Sequence, residues 1–141
     1  MDHQALKDLE AHLDATLGDY IQSSNIAHGE LTLEIRVESV ERIIKFLRDD
    51  SRCRFEMLID ICGVDYPERD PRFDVVYHLL SVSNNLRIRL KVGVEEEGSI
   101  PSVWALYSTA GWFEREVWDL FGIYVTDHPD LRRLLTDYGF E

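Results

Sequence analysis

The sequence predicts a two-layer α+β domain, with helices packed on one face of a five-stranded mixed or antiparallel sheet, in the order αββαβββαα. Two patterns carry this prediction. Near the amino terminus leucines recur with a helical period, which indicates one buried helix face: Leu6, Leu9, Leu13 and Leu17. Two later segments alternate strictly between apolar and polar residues, which is the period of a half-buried strand.

The first half of the chain is predicted to hold two helices and two strands. Gly18 ends the first helix, and a strand over 20–27 turns at 28–30 into the first alternating segment. The core-facing positions of that segment are Leu31, Leu33, Ile35 and Val37. Ser39 can cap the second helix. The buried side of this helix is formed by Val40, Ile43, Ile44 and Leu47.

Three further strands are predicted. The segment 55–64 is apolar on both faces, so we expect it to be central in the sheet. A mostly apolar strand follows over 73–82. The last strand, over 86–94, is the second alternating segment, and its polar positions form a basic face: Arg87, Arg89 and Lys91. Pro101 suits the first turn of a short helix that runs through Tyr107.

The stretch 112–140 combines the densest aromatic content of the chain with its densest ordered charge. A helix of about three turns is predicted, with Gly111 as N-cap, Glu114 three residues on and Gly122 as a left-handed C-cap. Its apolar stripe consists of Phe113, Val117, Leu120 and Phe121, and its charged face of Glu114, Arg115, Glu116 and Asp119. Trp112 and Trp118 widen the stripe, which indicates contacts on more than one side of the helix.

The chain after this helix is predicted to be irregular. Residues 123–125 indicate a short extended run, and 127–130 a turn. One further helical turn is expected over 131–135, bearing Arg132 and Arg133.

An ordered motif runs through this stretch. Its fixed positions are Glu114-Arg115-Glu116, Asp119-Leu120-Phe121, His128, Arg132 and Leu134. Their order and spacing resemble, without a mismatch, the pattern of the 30 kDa-type subunit family of respiratory complex I, the proton-pumping NADH:quinone oxidoreductase. The strand and helix order upstream resembles that family more loosely.

The resemblance implies a non-catalytic structural subunit of the peripheral arm. In that reading the chain itself binds no cofactor, whereas NADH, FMN, iron–sulfur clusters and quinone are bound by other subunits. The expected partners are the large subunit that forms much of the quinone pocket and the neighbouring iron–sulfur subunits. Trp112, Phe113, Trp118 and Phe121 would bury area at the interface. The register would be fixed by charged hydrogen bonds from Glu114, Arg115, Glu116, Asp119, His128 and Arg132.

Length and charge bound the function independently. With 141 residues the chain is expected to form one domain, 1–141, and its net charge of −12 argues against binding to nucleic acid or to an anionic lipid surface. No apolar run approaches the roughly 20 residues of a membrane span. The amino terminus resembles neither a secretory signal nor a transit peptide. The expected location is therefore peripheral, on the cytoplasmic side of a bacterial inner membrane or the matrix side of a mitochondrial one.

Motifs for cofactor binding are missing from the sequence. Cys53 and Cys62 are the two cysteines, too few for a four-cysteine iron–sulfur or zinc site, and both are expected to be reduced, small apolar residues. A disulfide between them is a weaker alternative. Glycine-rich nucleotide loops and a nucleophile elbow are also missing. The sequence thus predicts no catalytic, cofactor-binding or metal-binding residue.

Three alternatives remain open. Glu114, Glu116 and Asp119 with His128 could form a metal or acid–base cluster of a stand-alone acidic hydrolase, although His128 before a proline more often fixes a loop. Asp60 and Asp65 could be acid catalysts, although a capping role at a strand end is favoured. The chain could also be the equivalent subunit of a related membrane-bound hydrogenase or F420-dehydrogenase complex.

The sequence departs from the family at one place. Family members usually continue past the segment 137–140 with a basic, proline-containing arm, and this chain ends at Glu141. The expected domain therefore lacks the family's carboxy-terminal arm.

Overall fold

The structure is a computed structural model that describes residues 3–128. It has three helices, α1 (His3–Leu17), α2 (Val40–Asp49) and α3 (Ala110–Phe121). The strands are β1 (Ile21–Ala27), β2 (Glu30–Ile35), β3 (Met57–Asp65), β4 (Phe73–Ser81), β5 (Leu86–Val94), β6 (Ser99–Pro101) and β7 (Tyr124–Thr126). Within this part of the chain, no helix has the length and apolar character that crossing a bilayer requires.

Strands β1 to β5 form one sheet in the order β1-β2-β5-β4-β3. β2 and β5 are parallel, and the other neighbours are antiparallel. The predicted α+β fold with a five-stranded mixed sheet is therefore confirmed.

The helices and the hydrophobic core lie on one face of this sheet. Leu33, Leu90 and Tyr77 are aligned across β2, β5 and β4, and all three are fully buried. The next residues along these strands point to the opposite face, which carries Thr32, Arg89 and His78 and is covered by no helix among the described residues. The alternation of β5 was predicted, and its basic face meets an acidic neighbour, because Arg89 pairs with Glu30 at 2.9 Å.

The predicted central position of the third strand is wrong, because β3 lies at the edge of the sheet. Its apolar residues are explained by α3, which packs against this strand, in which Leu58 and Ile61 are buried. Cys62 was expected to be a small apolar core residue, but it is exposed, whereas Cys53 is buried, and both are free thiols. A helix over an edge strand thus produces the same apolar pattern as two flanking strands.

The predicted short helix from Pro101 to Tyr107 is not formed. Ser99–Pro101 is β6, which pairs in parallel with β7, and a turn follows at 104–106. The Tyr107 hydroxyl donates a buried hydrogen bond to the carbonyl of Phe55, which fixes this turn against the core.

Two smaller differences concern the second helix. The strand before it ends at Ile35, and Val37 begins a single 3-10 turn instead of extending that strand. Ser39 is the N-cap of α2, as predicted, but its side chain makes no capping hydrogen bond.

Candidate docking surface

Helix α3 begins one residue before its predicted N-cap and ends where it was predicted to end. Thr109 is the N-cap, without a side-chain hydrogen bond, so the predicted capping role of Gly111 is wrong. Gly122 has φ +70°, and its N–H donates to the carbonyl of Trp118 at 2.9 Å. This left-handed conformation favours glycine because it has no Cβ.

The inner face of α3 packs on the core. Val117 is buried, and Phe121 lies against Gly63 of β3, where a Cβ atom would be 2.5 Å from the phenylalanine ring. Phe121 also contacts the ring of Phe73 edge-on, with centroids 5.8 Å apart. The close approach of α3 to the sheet therefore depends on a glycine in the edge strand.

The outer face of α3 is formed by Trp112, Glu116 and Leu120, which are spaced four residues apart and are all exposed. Leu120 belongs to the predicted apolar stripe, which was expected to face a core or a partner; 73% of it is exposed, and Trp112 is 70% exposed. Arg115 and Asp119 pair beside this face at 3.3 Å, as their spacing predicted. Two large apolar side chains with a charged border are typical of a surface that contacts another protein.

Two more predicted anchors are partly covered by the chain itself. Trp118 packs edge-on against Tyr124 of β7, with ring centroids 5.7 Å apart. Phe113 is half-buried and lines a groove between α3 and β3, with a volume of about 330 Å³. The groove is also bordered by Cys62 in the edge strand and by Glu116 and Leu120 of α3. The outer face thus continues into a cleft at the sheet edge.

Trp104 enlarges the same surface and was not identified from the sequence. Its ring lies over Gly111, where a Cβ atom would be 3.1 Å from Cδ1 of the indole, and 48% of the residue is exposed. The contact of Trp104 with the start of α3 was missed because residues 101–107 were predicted to be helical, whereas 104–106 form a turn. Nothing in the sequence placed Trp104 beside Gly111, because only the fold brings these two residues together.

Glu114 was predicted to lie on the charged face of the helix, with Arg115 and Arg132 as the likeliest counter-ions of that face. It is instead fully buried. Ser102 Oγ donates to one carboxylate oxygen and the Val103 N–H to the other, each at 2.7 Å. Burial raises the pKa of Glu114, while these hydrogen bonds and the nearby His128 oppose the rise.

The burial of Glu114 has a simple physical reason. Positions 110, 114, 117 and 121 lie on one side of a helix, and both Ala110 and Val117 face the core. The carboxylate is tolerated there because both of its oxygens accept hydrogen bonds. Glu114 therefore supports the surface from beneath and is not part of it.

His128 supports the first turn of α3 from the other side. It is buried, and its Nε2 lies 2.6 Å from the carbonyl oxygen of Gly111. Because a carbonyl only accepts, Nε2 is the donor. This is the geometry that the sequence suggested for a residue that fixes a loop.

The carboxylates near His128 do not form a metal cluster. Within residues 3–128, the groups with at least three converging metal-ligand side chains are His12–Asp50–Cys53 and Asp60–Cys62–His78. Neither contains a residue of the predicted cluster.

Asp60 was expected at a strand end but lies within β3, whereas Asp65 ends that strand and pairs with Arg72 at 2.7 Å. Arg132, Leu134 and the predicted helical turn 131–135 lie outside the described residues.

Comparisons with known proteins agree with this arrangement. The sequence profile of the family described as "Respiratory-chain NADH dehydrogenase, 30 Kd subunit" matches residues 33–141. The chain is 55% identical over its whole length to the NADH-quinone oxidoreductase subunit designated C in Hyphomonas neptunium, and it spans 70% of that protein. It is 53% identical, over 98% of its length, to the subunit of the same designation in Xanthobacter autotrophicus and spans 66% of that protein.

A solved structure shares the fold. One chain of the membrane-bound sulfane sulfur reductase, an archaeal respiratory membrane complex, superposes with a TM-score of 0.76. The alignment covers 91% of this chain and 74% of that one at 19% identity, so it shows the fold alone. The matching profile, the relatives and the motif in α3 agree, and the chain belongs to the family of 30 kDa-type subunits of NADH-quinone oxidoreductase.

Proposed function

We propose that this chain is a non-catalytic structural subunit in the peripheral arm of a proton-pumping NADH:quinone oxidoreductase. The outer face of α3 docks on the large subunit that forms much of the quinone pocket. Iron–sulfur subunits are further neighbours, and NADH, FMN, the clusters and quinone are bound by other chains. The chain lies at the cytoplasmic surface of a bacterial inner membrane or at the matrix surface of a mitochondrial one.

The observation that carries this proposal is the exposure of Trp112 and Leu120 on one helix face. Leaving them in water gives up the roughly 1.5–3 kcal/mol that full burial of a large apolar side chain contributes. The core does not need them, because the inner face of α3 is already filled by Val117 and Phe121. Their placement is explained if a partner covers them.

The charged groups beside this face would fix the register of docking. Glu116 is exposed between the two apolar residues, and the Arg115–Asp119 pair lies next to it. An arginine held by a neighbouring carboxylate keeps N–H donors that can meet a carbonyl or carboxylate of a partner. These polar contacts would set orientation more than affinity.

Glu114 and His128 act indirectly in this proposal. Glu114 ties the segment after β6 to the inner side of α3, and His128 holds the carbonyl of Gly111 in its first turn. Trp104 and Trp112 lie close to these anchored segments. The buried polar groups therefore preorganise the aromatic surface.

The alternatives are less well supported. A hydrolase would need its carboxylates open to substrate, and Glu114 is buried with both oxygens bonded. A related hydrogenase or F420-dehydrogenase complex would fit the shared fold. Relatives at 53–55% identity that carry the NADH-quinone oxidoreductase name favour that enzyme.

The test is complementation of a strain that lacks its own 30 kDa-type subunit. We expect Leu120→Asp to abolish or strongly reduce assembly of the complex and its NADH:quinone reductase activity in membranes. Val82→Asp is the matched control, because Val82 is 60% exposed in the turn after β4 and belongs neither to α3 nor to the groove beside it. Thermal unfolding of both purified chains checks that each is folded. Normal assembly with Leu120→Asp would refute the docking surface.

A further inference from the structure

The open face of the sheet brings together three side chains that the sequence keeps apart. Asp60 of β3 is directly opposite His78 of β4, and Cys62 lies two residues further along β3. Because residues two apart on a strand and residues opposite each other share a face, all three point to the side without helices. Sequence spacing could not show this, since the register of two strands creates it.

The donor atoms of these residues converge. One atom from each, the Cys62 Sγ, a carboxylate oxygen of Asp60 and a ring nitrogen of His78, lies within 4.8 Å of the other two. Asp60 Oδ1 and His78 Nδ1 are 2.5 Å apart. Cys62 is exposed and His78 is half-buried, so solvent reaches the group.

We propose that Asp60, Cys62 and His78 form a binding site for one divalent transition-metal ion of the zinc class. Thiolate, imidazole and carboxylate are the donor types that zinc takes in proteins, at about 2.0–2.3 Å. A tetrahedral ion with such bonds needs its donors roughly 3.5 Å apart. Binding therefore requires Asp60 Oδ1 and His78 Nδ1 to move apart from 2.5 Å, so that the ion replaces their hydrogen bond.

Coordination requires the loss of one proton. The Cys62 thiol releases its proton to solvent as the sulfur binds. Because the Asp60 carboxylate only accepts, His78 Nδ1 carries a proton before the ion binds; on coordination through Nδ1 that proton is lost to solvent and one is taken up at Nε2, so the imidazole binds neutral. Three protein ligands leave the fourth position to water on the open side of the sheet.

The charges around the site balance a divalent ion. Arg89 is opposite His78 on β5 and would repel a cation, but Glu30 pairs with it at 2.9 Å. Lys91 is similarly adjacent to Glu34 across the β2–β5 pair. With Arg89 and Lys91 beside these carboxylates, the thiolate and the Asp60 carboxylate supply the two negative charges that the ion needs. Arg87, the third basic residue of this face, lines the same cavity as Asp60 and His78 and is the one that opposes cation binding.

The other converging group, His12, Asp50 and Cys53, is already linked by hydrogen bonds and is a useful contrast. His12 Nε2 bonds Asp50 at 2.9 Å, and the Arg52 main-chain N–H donates to the same carboxylate at 3.1 Å. Cys53 is fully buried, whereas Cys62 is exposed. The buried, hydrogen-bonded thiol makes this group the poorer candidate for an ion.

The test is titration of the full chain with Co²⁺, followed by displacement with Zn²⁺. We expect one ion per chain and a near-ultraviolet thiolate-to-cobalt charge-transfer band that Zn²⁺ removes. Cys62→Ser should abolish the band, and His78→Asn and Asp60→Asn should weaken binding at least about tenfold. Cys53→Ser is the matched control at the second cysteine and should keep band and affinity.

Other outcomes would overturn the proposal. They are cobalt binding without a thiolate band, a band that Cys62→Ser leaves intact, or a band that depends on Cys53. Binding lost in His28→Gln, at an exposed histidine outside the site, would assign the ion to surface histidines. The circular dichroism spectrum of each variant confirms folding, which the exposure of Cys62 favours.

Discussion

The carboxylate of Glu114 accepts the main-chain N–H of Val103 at 2.7 Å, inside the core, and so joins α3 to the segment that follows β6. The same carboxylate accepts the hydroxyl of Ser102. A surface helix is thereby fixed from beneath by a buried charged group. The first two predictions concern this group.

Removing the carboxylate should destabilise the protein. In Glu114→Ala the Val103 N–H and the Ser102 hydroxyl lose their acceptor, and a buried unsatisfied group costs about 1–3 kcal/mol. The measurement is the free energy of unfolding in urea. Glu116→Ala, on the exposed face of the same helix, should change it by less than about 0.5 kcal/mol. Equal effects of the two changes would contradict the buried role.

The pH dependence of stability should carry the signature of Glu114. Burial raises the pKa of its carboxyl above the ordinary 4.5, so the folded state holds this proton more tightly than the unfolded state. The stabilising contribution is therefore complete below the ordinary pKa and declines as the pH rises through the raised one. The free energy of unfolding of the wild type minus that of Glu114→Gln should therefore fall as the pH rises above the ordinary pKa of 4.5. A difference that grows over this range would contradict the shift.

The contact between Gly63 and Phe121 predicts a steric effect. Gly63→Ala places a Cβ atom 2.5 Å from the ring, so α3 or β3 must move, at about 1–3 kcal/mol. The measurement is again denaturant unfolding. Adding Phe121→Leu should recover part of the loss, because the smaller side chain yields space. If the two changes are simply additive, the contact does not limit the packing.

The end of α3 predicts an effect of backbone conformation alone. Gly122 has φ +70° and nothing within 4 Å of a Cβ at this position. Gly122→Ala should therefore cost about 1 kcal/mol from the left-handed conformation and nothing from packing. Gly122→Asn should cost less, because asparagine tolerates this region better. A stabilising alanine would contradict the assigned cap.

The sequence predicted an element correctly where the spacing of its apolar residues had a single cause, burial against the core. The leucines of α1 and the alternation of β5 lie on elements that face the core on one side only, so their pattern reports burial directly. The C-cap role of Gly122 was also predicted correctly, because few residues other than glycine accept the left-handed conformation.

The errors arose where tertiary contacts override the local pattern. β3 is apolar because α3 covers it, and Glu114 is buried because Ser102 and Val103 supply donors from a distant segment. For Leu120 the spacing left open whether it faces the core or a partner, and only the packed sheet shows that the core ends before it. The pairing of Asp60 with His78 depends on strand register, which the sequence does not reveal.

The central claim is that the outer face of α3 contacts the large quinone-site subunit. Photo-crosslinking in native membranes tests it most directly, with a photoreactive amino acid at position 120 and, separately, at position 82. The account predicts that position 120 forms one adduct, identified by mass spectrometry as the large subunit, and that position 82 does not form it. Adducts at position 120 with other subunits only, or none from an assembled complex, would contradict it.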